Sequence, residues 1–563
     1  MNSLFGNWTS TLGKYSLPLV LSVLLPAVGI SSQVSAAERV YASYSALERS
    51  ISVDALEKYA KNGEIGEDLA VYTRYLKPEQ LQELRRVLIS PIEVNSVAVS
   101  QFLYTPQGEF LLKRLGEIVK TESRKEDSGF HALRSALILA SSDKEGFTLL
   151  NLLRKYPGTS VHINLARTLS IAAELEKLVN ETNRAVEAVS QKSSTEAATN
   201  PKNINVKSLP SLRRPGRFKV SDRKLKVFDS VRNRLIITQV YLPSITTPAP
   251  AIVISHGLGS DSTNFRYLAE RLASHGFAVI VPNHPGSDTK QLRSLLDGSA
   301  SELVTPEEFY HRPLDIKYVL DHLEGLNKEK SEYTNRLNLE QVGVFGHSFG
   351  GYTALALAGA EINYAKLRKD CQEEVLKESW NMSLIFQCRA SNPLKEVLQV
   401  DQNLRDERVK AVVAVNPITS SLFGKEGLQK IQTPVMIVAS SDDTITPALY
   451  EQILPFSWIS NSQRYLALLT GATHFSAIGS GSDNSSATQL SLPSEVIGVN
   501  PAQARYYMKA LSVPFFQTYV GGKSDYISYL NASYVKTISS SSVEVNLIKS
   551  LSATEIAKAI KNE

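Results

Sequence analysis

Gly346-His347-Ser348-Phe349-Gly350 decides how this chain is read. The apolar run Gln341-Val342-Gly343-Val344-Phe345 leads into it, and the small-residue run Gly351-Tyr352-Thr353-Ala354-Leu355-Ala356-Leu357-Ala358 leads out. That order predicts a strand, a tight turn and a helix, with a serine at the tip of the turn. A serine at such an apex is held in a strained backbone conformation, and its hydroxyl stands out above the sheet. Glycines two residues to either side let strand and helix approach without a clash. The helix N-terminus behind the serine favours a developing oxyanion. The hydroxyl is still a weak nucleophile, so it needs a base, and the base needs an orienting acid.

The base must be one of nine histidines. His256 and His347 belong to glycine-rich turns. His275 and His322 fall on helices, His311 precedes one, and His131 and His162 lie in an N-terminal helical region. His284 and His474 remain. Each follows an apolar strand, where sites form in open sheets. His284 stands before the serine, whereas His474, in Gly471-Ala472-Thr473-His474-Phe475, fits the chain order serine, acid, histidine. The acid is sought after a strand between the two, in Ser440-Ser441-Asp442-Asp443-Thr444-Ile445-Thr446-Pro447. Asp443, four residues before Pro447, suits a loop turning back from the sheet; Asp442 is the alternative and otherwise reads as a turn or cap residue. Two backbone N–H donors complete the set: Phe349, next to the serine, and Leu258 in His256-Gly257-Leu258-Gly259, the turn after an earlier strand.

Around the serine, strands and helices alternate. Lys224 to Phe228 and Leu235 to Leu242 read as a hairpin. Ala251 to Ser255, Phe277 to Val281, Val409 to Val415, Val435 to Ala439 and Tyr465 to Leu469 read as continuous apolar strands. Continuous runs mean strands covered on both faces, hence a largely parallel sheet with helices on either side. Arg266 to His275 and Leu314 to Leu323 read as helices. Residues 361–408, with Cys371, Cys388 and Trp380, read as a cap inserted after the elbow helix. Phe265, Phe349, Trp380 and Trp458 are large enough to line a pocket, and core packing explains them equally well.

With 563 residues, two or three domains are expected. A hydrophobic share of 43% and a charged share of 21% define a globular chain, and a net charge of +5 is too small to argue for nucleic acid. Residues 1–36 read as a secretory signal, with Lys14 as the positive flank, Leu17 to Ile30 as the apolar core and Val34-Ser35-Ala36 as a cleavage site. Removing it leaves a net charge of +4. An uncleaved membrane anchor is the alternative, although a 14-residue run holding Pro18 and Pro26 is short for a span. Residues 37–190 read as an all-helical domain, with Leu81, Leu84 and Leu88 on one helical face and Leu111, Leu112, Leu115, Ile118 and Val119 on another. Residues 191–221 read as a linker. From Lys202 to Lys226 there are nine basic residues against Asp222 alone, which fits contact with an anionic membrane surface or a solvated linker. The domain that bears the serine turn then spans 222–540, with a tail over 541–563. The only cysteines, Cys371 and Cys388, are a disulfide pair or two buried thiols; no Cys/His cluster has metal spacing, and no cofactor is expected.

Taken together, His256-Gly257-Leu258-Gly259, His311-Arg312-Pro313-Leu314-Asp315, Gly346-His347-Ser348-Phe349-Gly350-Gly351, Asp443, Gly471-Ala472-Thr473-His474-Phe475 and the hairpin with Arg232, Arg234 and Tyr241-Leu242-Pro243 carry a resemblance. Residues 222 to about 480 resemble an α/β-hydrolase of the dienelactone hydrolase and platelet-activating factor acetylhydrolase-like group. Residues 37–170 are similar to an uncharacterised helical domain that precedes such hydrolases in cyanobacterial proteins. The resemblance implies a Ser348–His474–Asp443 triad acting on carboxylic esters, with acetyl and lipid acyl groups both open, and without cofactor or metal. A serine where dienelactone hydrolase has cysteine moves the expectation toward esterase or acetylhydrolase chemistry. Arg312 and Asp315 are expected to be structural. A peptidase or acyltransferase using the same triad, or a non-catalytic binding protein on this scaffold, are the competing readings.

Overall fold

The fold is described from a computed structural model over residues 36–45, 47–73, 77–92, 94–123, 128–199, 209–391, 403–479 and 494–561. The signal segment expected over residues 1–36 lies outside them apart from Ala36. The chain forms two compact units that divide between Ala172 and Ala173.

The first unit is mostly helical, as its 3.6-residue apolar periods require, but it is not all-helical. Four short strands, β1 (Arg39–Tyr44), β2 (Leu47–Ser52), β3 (Val119–Thr121) and β4 (Ser160–Asn164), form a sheet in the order β2-β1-β4-β3. Val40 and Val161 pair across β1 and β4 and are buried, next to Leu56, Leu112 and Ala136 from the helices. Segments of three to six residues carry too few alternations to show against the long helical periods around them.

The second unit carries a nine-stranded sheet. Its strands are β5 (Val220–Asp229), β6 (Arg234–Pro243), β7 (Ala249–Ser255), β8 (Ala278–Pro282), β9 (Leu337–His347), β10 (Val409–Val415), β11 (Val435–Ser440), β12 (Arg464–Thr470) and β13 (Glu544–Ile548). They lie in the order β13-β12-β11-β10-β9-β7-β8-β6-β5. The six strands β7 to β12 are mutually parallel; at the edges β13 pairs antiparallel with β12, β6 with β8 and β5 with β6. Ala251 and Val253 of β7 face one apolar layer, Ile252 and Ile254 the other, and all four are fully buried. This is the both-faces-covered sheet that the continuous apolar runs predict.

Four expectations need correction. The boundary between the units falls inside one helix, Leu165–Thr199, rather than at residue 191. Ala185, Val186 and Val189 of that helix are buried in the sheet's own apolar layer, so its second half belongs to the second unit. Of the linker expected over 191–221, residues 200–208 lie outside the described residues, and the part after them is not free. Leu212 is buried, Arg271 donates to the Leu212 and Arg213 carbonyls, and Gly216 N–H donates to Ser274 Oγ at 2.8 Å. The tail expected over 541–563 instead supplies edge strand β13 and the helix Ala553–Lys561. Finally, the helix expected from Leu314 begins at Glu308 and runs to Lys328 with Pro313 inside it. Proline has no N–H to give the carbonyl four residues back, which is that of Phe309. The Tyr352 hydroxyl donates to that carbonyl at 2.6 Å, so the helix continues through the proline.

The cap insertion contains the helices Tyr364–Asp370, Glu373–Glu378 and Met382–Cys388; residues 392–402 lie outside the described residues. Cys371 and Cys388 are bonded to each other. Tyr352→Phe is expected to lower stability by about 1–3 kcal/mol, the cost of leaving a buried carbonyl without its donor. Urea unfolding of the variant against the parent protein measures it.

Candidate active site

The carboxyl ends of the central parallel strands meet around Ser348. Gly346 of β9 is in register with Ser255 at the end of β7, and His347 with Val415 at the end of β10. Ser348 sits between β9 and the helix Phe349–Leu357 with φ 57° and ψ −117°. That left-handed conformation is costly for a residue with a side chain and persists only where its surroundings impose it. Here they do. A Cβ on Gly346 would lie 1.9 Å from the Gly350 carbonyl oxygen, and one on Gly350 would lie 2.0 Å from that of Ser255. The turn can thus close only with glycine at both positions.

The sequence-predicted residues come together there. His474 Nε2 lies 2.9 Å from Ser348 Oγ, and His474 Nδ1 lies 2.7 Å from Asp443 Oδ2. Ser348 is half-buried, whereas His474 and Asp443 are buried. Asp443 is an acceptor on every side: Oδ1 takes the N–H groups of Ile445 and Thr446 at 2.9 and 2.7 Å, and Oδ2 also takes the Thr446 hydroxyl at 2.8 Å. The carboxylate therefore fixes the Nδ1–H form of His474 and leaves Nε2 free to accept from the serine. Asp442 is exposed; its carboxylate takes the Ser441 hydroxyl and does not reach the imidazole.

The turn His256-Gly257-Leu258-Gly259 lies directly against the serine. A Cβ on Gly257 would fall 3.3 Å from Ser348 Cβ and 3.1 Å from His347 Nδ1. Among the described residues the Leu258 N–H has no hydrogen-bond acceptor. Phe349 is the first residue of its helix, where an N–H has no intrahelical partner. Phe349 itself is core rather than pocket lining, packed edge-on against Phe309 at 4.8 Å and against Phe386 of the insertion at 5.0 Å. Phe265 is likewise fully buried.

His284, the other histidine that follows a strand, occupies a second array. Its Nε2 lies 3.0 Å from Ser255 Oγ and its Nδ1 3.1 Å from Asp315 Oδ2. All three residues are fully buried. Asp315 also takes hydrogen bonds from Arg232 and Arg234, while Arg234 holds Glu308 as well. The backbone N–H of His284 donates to His256 Nε2, so His256 carries its proton on Nδ1 and donates to the Gly257 carbonyl at 2.7 Å.

Three contributors are not legible in the sequence. His347 donates from Nε2 to the His474 carbonyl at 2.8 Å. Asn416, at φ 45°, donates to the same carbonyl at 3.3 Å and to Ser440 Oγ at 3.1 Å. An asparagine just past an apolar strand is a usable sign of positive φ, though not of this partner. Glu451, fully buried, takes hydrogen bonds from Asn381, Gln387, Thr419 and Ser420 and so ties the insertion to the loop after β10.

Comparisons with known proteins bear on the fold and on the class of relatives. A family profile described as "alpha/beta hydrolase of unknown function (DUF1400)" matches residues 36–164, the first unit. A second, described as "alpha/beta hydrolase fold", matches residues 250–369, from β7 into the insertion. Cutinase est1 of Thermobifida alba is 27% identical over 144 residues, covering 26% of this chain and 40% of the relative. Cutinase 2 of Thermobifida cellulosilytica is 23% identical over 267 residues, 46% of this chain and 73% of the relative. The platelet-activating factor acetylhydrolase of Canis lupus familiaris is 28% identical over 162 residues, 21% of this chain and 36% of the relative. The matches span less than half the length of the first of these relatives, at 40, 47 and 45%. The protein is an α/β-hydrolase by fold, with a distinct N-terminal domain. Its named relatives are hydrolases of the cutinase and acetylhydrolase kinds.

Burial holds the histidines behind the site neutral. It pushes His347 down to about 3 and His311 to about 4 from the ordinary 6.5, and it takes His256 and His284 well below that value. The unfolded chain takes up protons below 6.5 that the folded chain refuses. Their contribution to stability is therefore complete above 6.5 and is lost as the pH falls toward about 3. Melting temperature is expected to fall across that window, and His347→Gln to flatten part of the fall; thermal melts at stepped pH measure both.

Proposed function

We propose that the protein is a serine hydrolase of carboxylic esters working through an acyl-enzyme. The observation that carries this reading is the hydrogen-bonded series Ser348 Oγ, His474 Nε2, His474 Nδ1, Asp443 Oδ2, at 2.9 and 2.7 Å. His474 takes the Ser348 proton as Oγ attacks the ester carbonyl. The Leu258 and Phe349 N–H groups receive the oxyanion, and the imidazolium gives its proton to the departing alcohol. Water, deprotonated by His474, then releases the acid and restores the serine. Asp443 stays ionised throughout, orienting the imidazole and stabilising its charged form. No step calls for a metal or cofactor.

The relatives support the substrate class. A cutinase or acetylhydrolase likeness favours acetyl or lipid esters over peptides. No helix among the described residues is long and apolar enough to cross a membrane. Export rests on the apolar N-terminal segment, Leu17 to Ile30, and on the Cys371–Cys388 bond, which persists in oxidising compartments.

A fluorophosphonate probe is expected to label the folded protein at Ser348 and to leave Ser348→Ala unlabelled. Hydrolysis of p-nitrophenyl esters should fall by about 10⁶-fold in Ser348→Ala and by about 10⁴-fold in Asp443→Asn. Asp442→Asn should stay within about twofold of the parent, as an exposed substitution does. Equal losses from the two aspartate variants would reassign the acid. Labelling elsewhere, or full ester hydrolysis by Ser348→Ala, would overturn the reading.

A further inference from the structure

Arg312 is fully buried behind the site and is the first basic residue of the helix Glu308–Lys328. Two carboxylates, Glu308 and Asp315, lie on the same helix, and a buried guanidinium next to them reads at first as their counter-ion. The hydrogen bonds say otherwise. Arg234 donates to both carboxylates and Arg232 donates to Asp315. The Arg312 fork goes elsewhere. Its Nη2 donates to the His256 carbonyl and its Nη1 to Ser287 Oγ at 3.4 Å. Its guanidinium carbon lies 4.5 Å from the centroid of the Phe349 ring.

Each of these three partners belongs to the machinery around the oxyanion. His256 opens the turn that contains Leu258. Ser287 closes it, because its own carbonyl takes the Gly259 N–H at 2.9 Å. Phe349 bears the other N–H donor. The two donors follow different strands, Leu258 in the turn after β7 and Phe349 at the start of the helix after β9, and no hydrogen bond joins Leu258 to Phe349 among the described residues. The register of β7 with β9 brings the two segments together, and a group that touches both beyond the strand ends can fix their spacing.

We propose that Arg312 is the positioning residue of the oxyanion hole, a buried guanidinium that fixes the His256–Gly259 turn against the Phe349 end of the elbow helix. This rests on the hydrolase reading above. Arginine suits the task because its planar fork reaches two acceptors while its face stacks on a ring, which an ammonium cannot do. Burial pushes Arg312 down to about 9, and Glu308 and Asp315 oppose that fall, so the cation persists at neutral pH. Arg232 and Arg234 pair with the anions Asp229, Glu308 and Asp315, which leaves the Arg312 fork for its own partners. The role is positional: Arg312 touches the donor-bearing segments at the His256 carbonyl, the Ser287 hydroxyl and the Phe349 ring, not at the N–H groups themselves.

The test compares the parent protein with Arg312→Lys, which keeps the charge and loses the fork and the stacking. Working sites are counted by the endpoint of fluorophosphonate labelling. Per working site, kcat for p-nitrophenyl acetate is expected to fall by about 10- to 100-fold with KM nearly unchanged, the signature of displaced transition-state donors. The inhibition constant of an aryl trifluoromethyl ketone, which forms a tetrahedral oxyanion on the serine, should weaken by the same factor. A merely structural arginine would lower the melting temperature and the number of labelled sites while leaving kcat per site and the ketone constant unchanged, and that result overturns the proposal. Should Arg312→Lys not fold, Ser287→Ala removes one acceptor and keeps the cation. It is expected to lower kcat and ketone affinity together by about fivefold, and unchanged constants would be decisive against the proposal. Absence of labelling in the parent protein would overturn the hydrolase reading first, and this inference with it.

Discussion

Three stretches of backbone converge at Ser348 with no room for a side chain between them. The end of β9, the start of the elbow helix and the turn after β7 approach so closely that Gly257, Gly346 and Gly350 all stand where a Cβ would press on a neighbour, at Gly346 and Gly350 within 2.0 Å. This crossing fixes where the serine hydroxyl stands and how near the turn bearing Leu258 can come. The parallel sheet supplies the rigid base for it, since β7, β9 and β10 are locked in register up to their last residues. Strain at one φ/ψ pair is thereby supported by two covered faces of apolar packing.

The site repeats a theme that the fold also uses where nothing can react. Ser255, His284 and Asp315 lie at 3.0 and 3.1 Å from one another, close to the spacing of Ser348, His474 and Asp443. Residue types and distances are nearly alike, yet the chemistry available is not. Ser255 is fully buried, whereas Ser348 is half-buried. Asp315 spends its lone pairs on two arginines, whereas Asp443 takes only backbone and hydroxyl donors besides the imidazole. A serine, histidine and aspartate in line act as a rigid polar strut when sealed, and access to solvent is what separates strut from reagent.

What the sequence makes legible is local, and what it hides is tertiary. The strand, turn and helix around Ser348 and the loops bearing Asp443 and His474 follow from short-range patterns, and they meet as the chain order requires. Leu258 and Phe349 follow from position relative to strands. Arg312, His347, Thr446 and Glu451 do not, because each acts on a segment at least 30 residues away in sequence or through a turn whose direction no period encodes. The small sheet of the first unit is hidden for another reason: β1 to β4 are too short to outweigh the helical periods beside them. The boundary within Leu165–Thr199 is invisible because helical propensity is continuous across it, while the packing of Val186 and Val189 is not.

The last strand in the chain carries a consequence for biosynthesis. β13 pairs antiparallel with β12, whose far end leads into the loop bearing His474. Side chains of Ser190 and Ser193 hydrogen-bond to Asn546 and Leu547 and hold β13 in place from the long helix. Until residues 544–548 leave the ribosome, β12 presents an open ladder of amide and carbonyl groups, the kind of edge that recruits foreign strands. The order of synthesis thus places the seal on the sheet last, and a nascent or clipped chain lacking that stretch carries every reactive side chain on an unsealed scaffold.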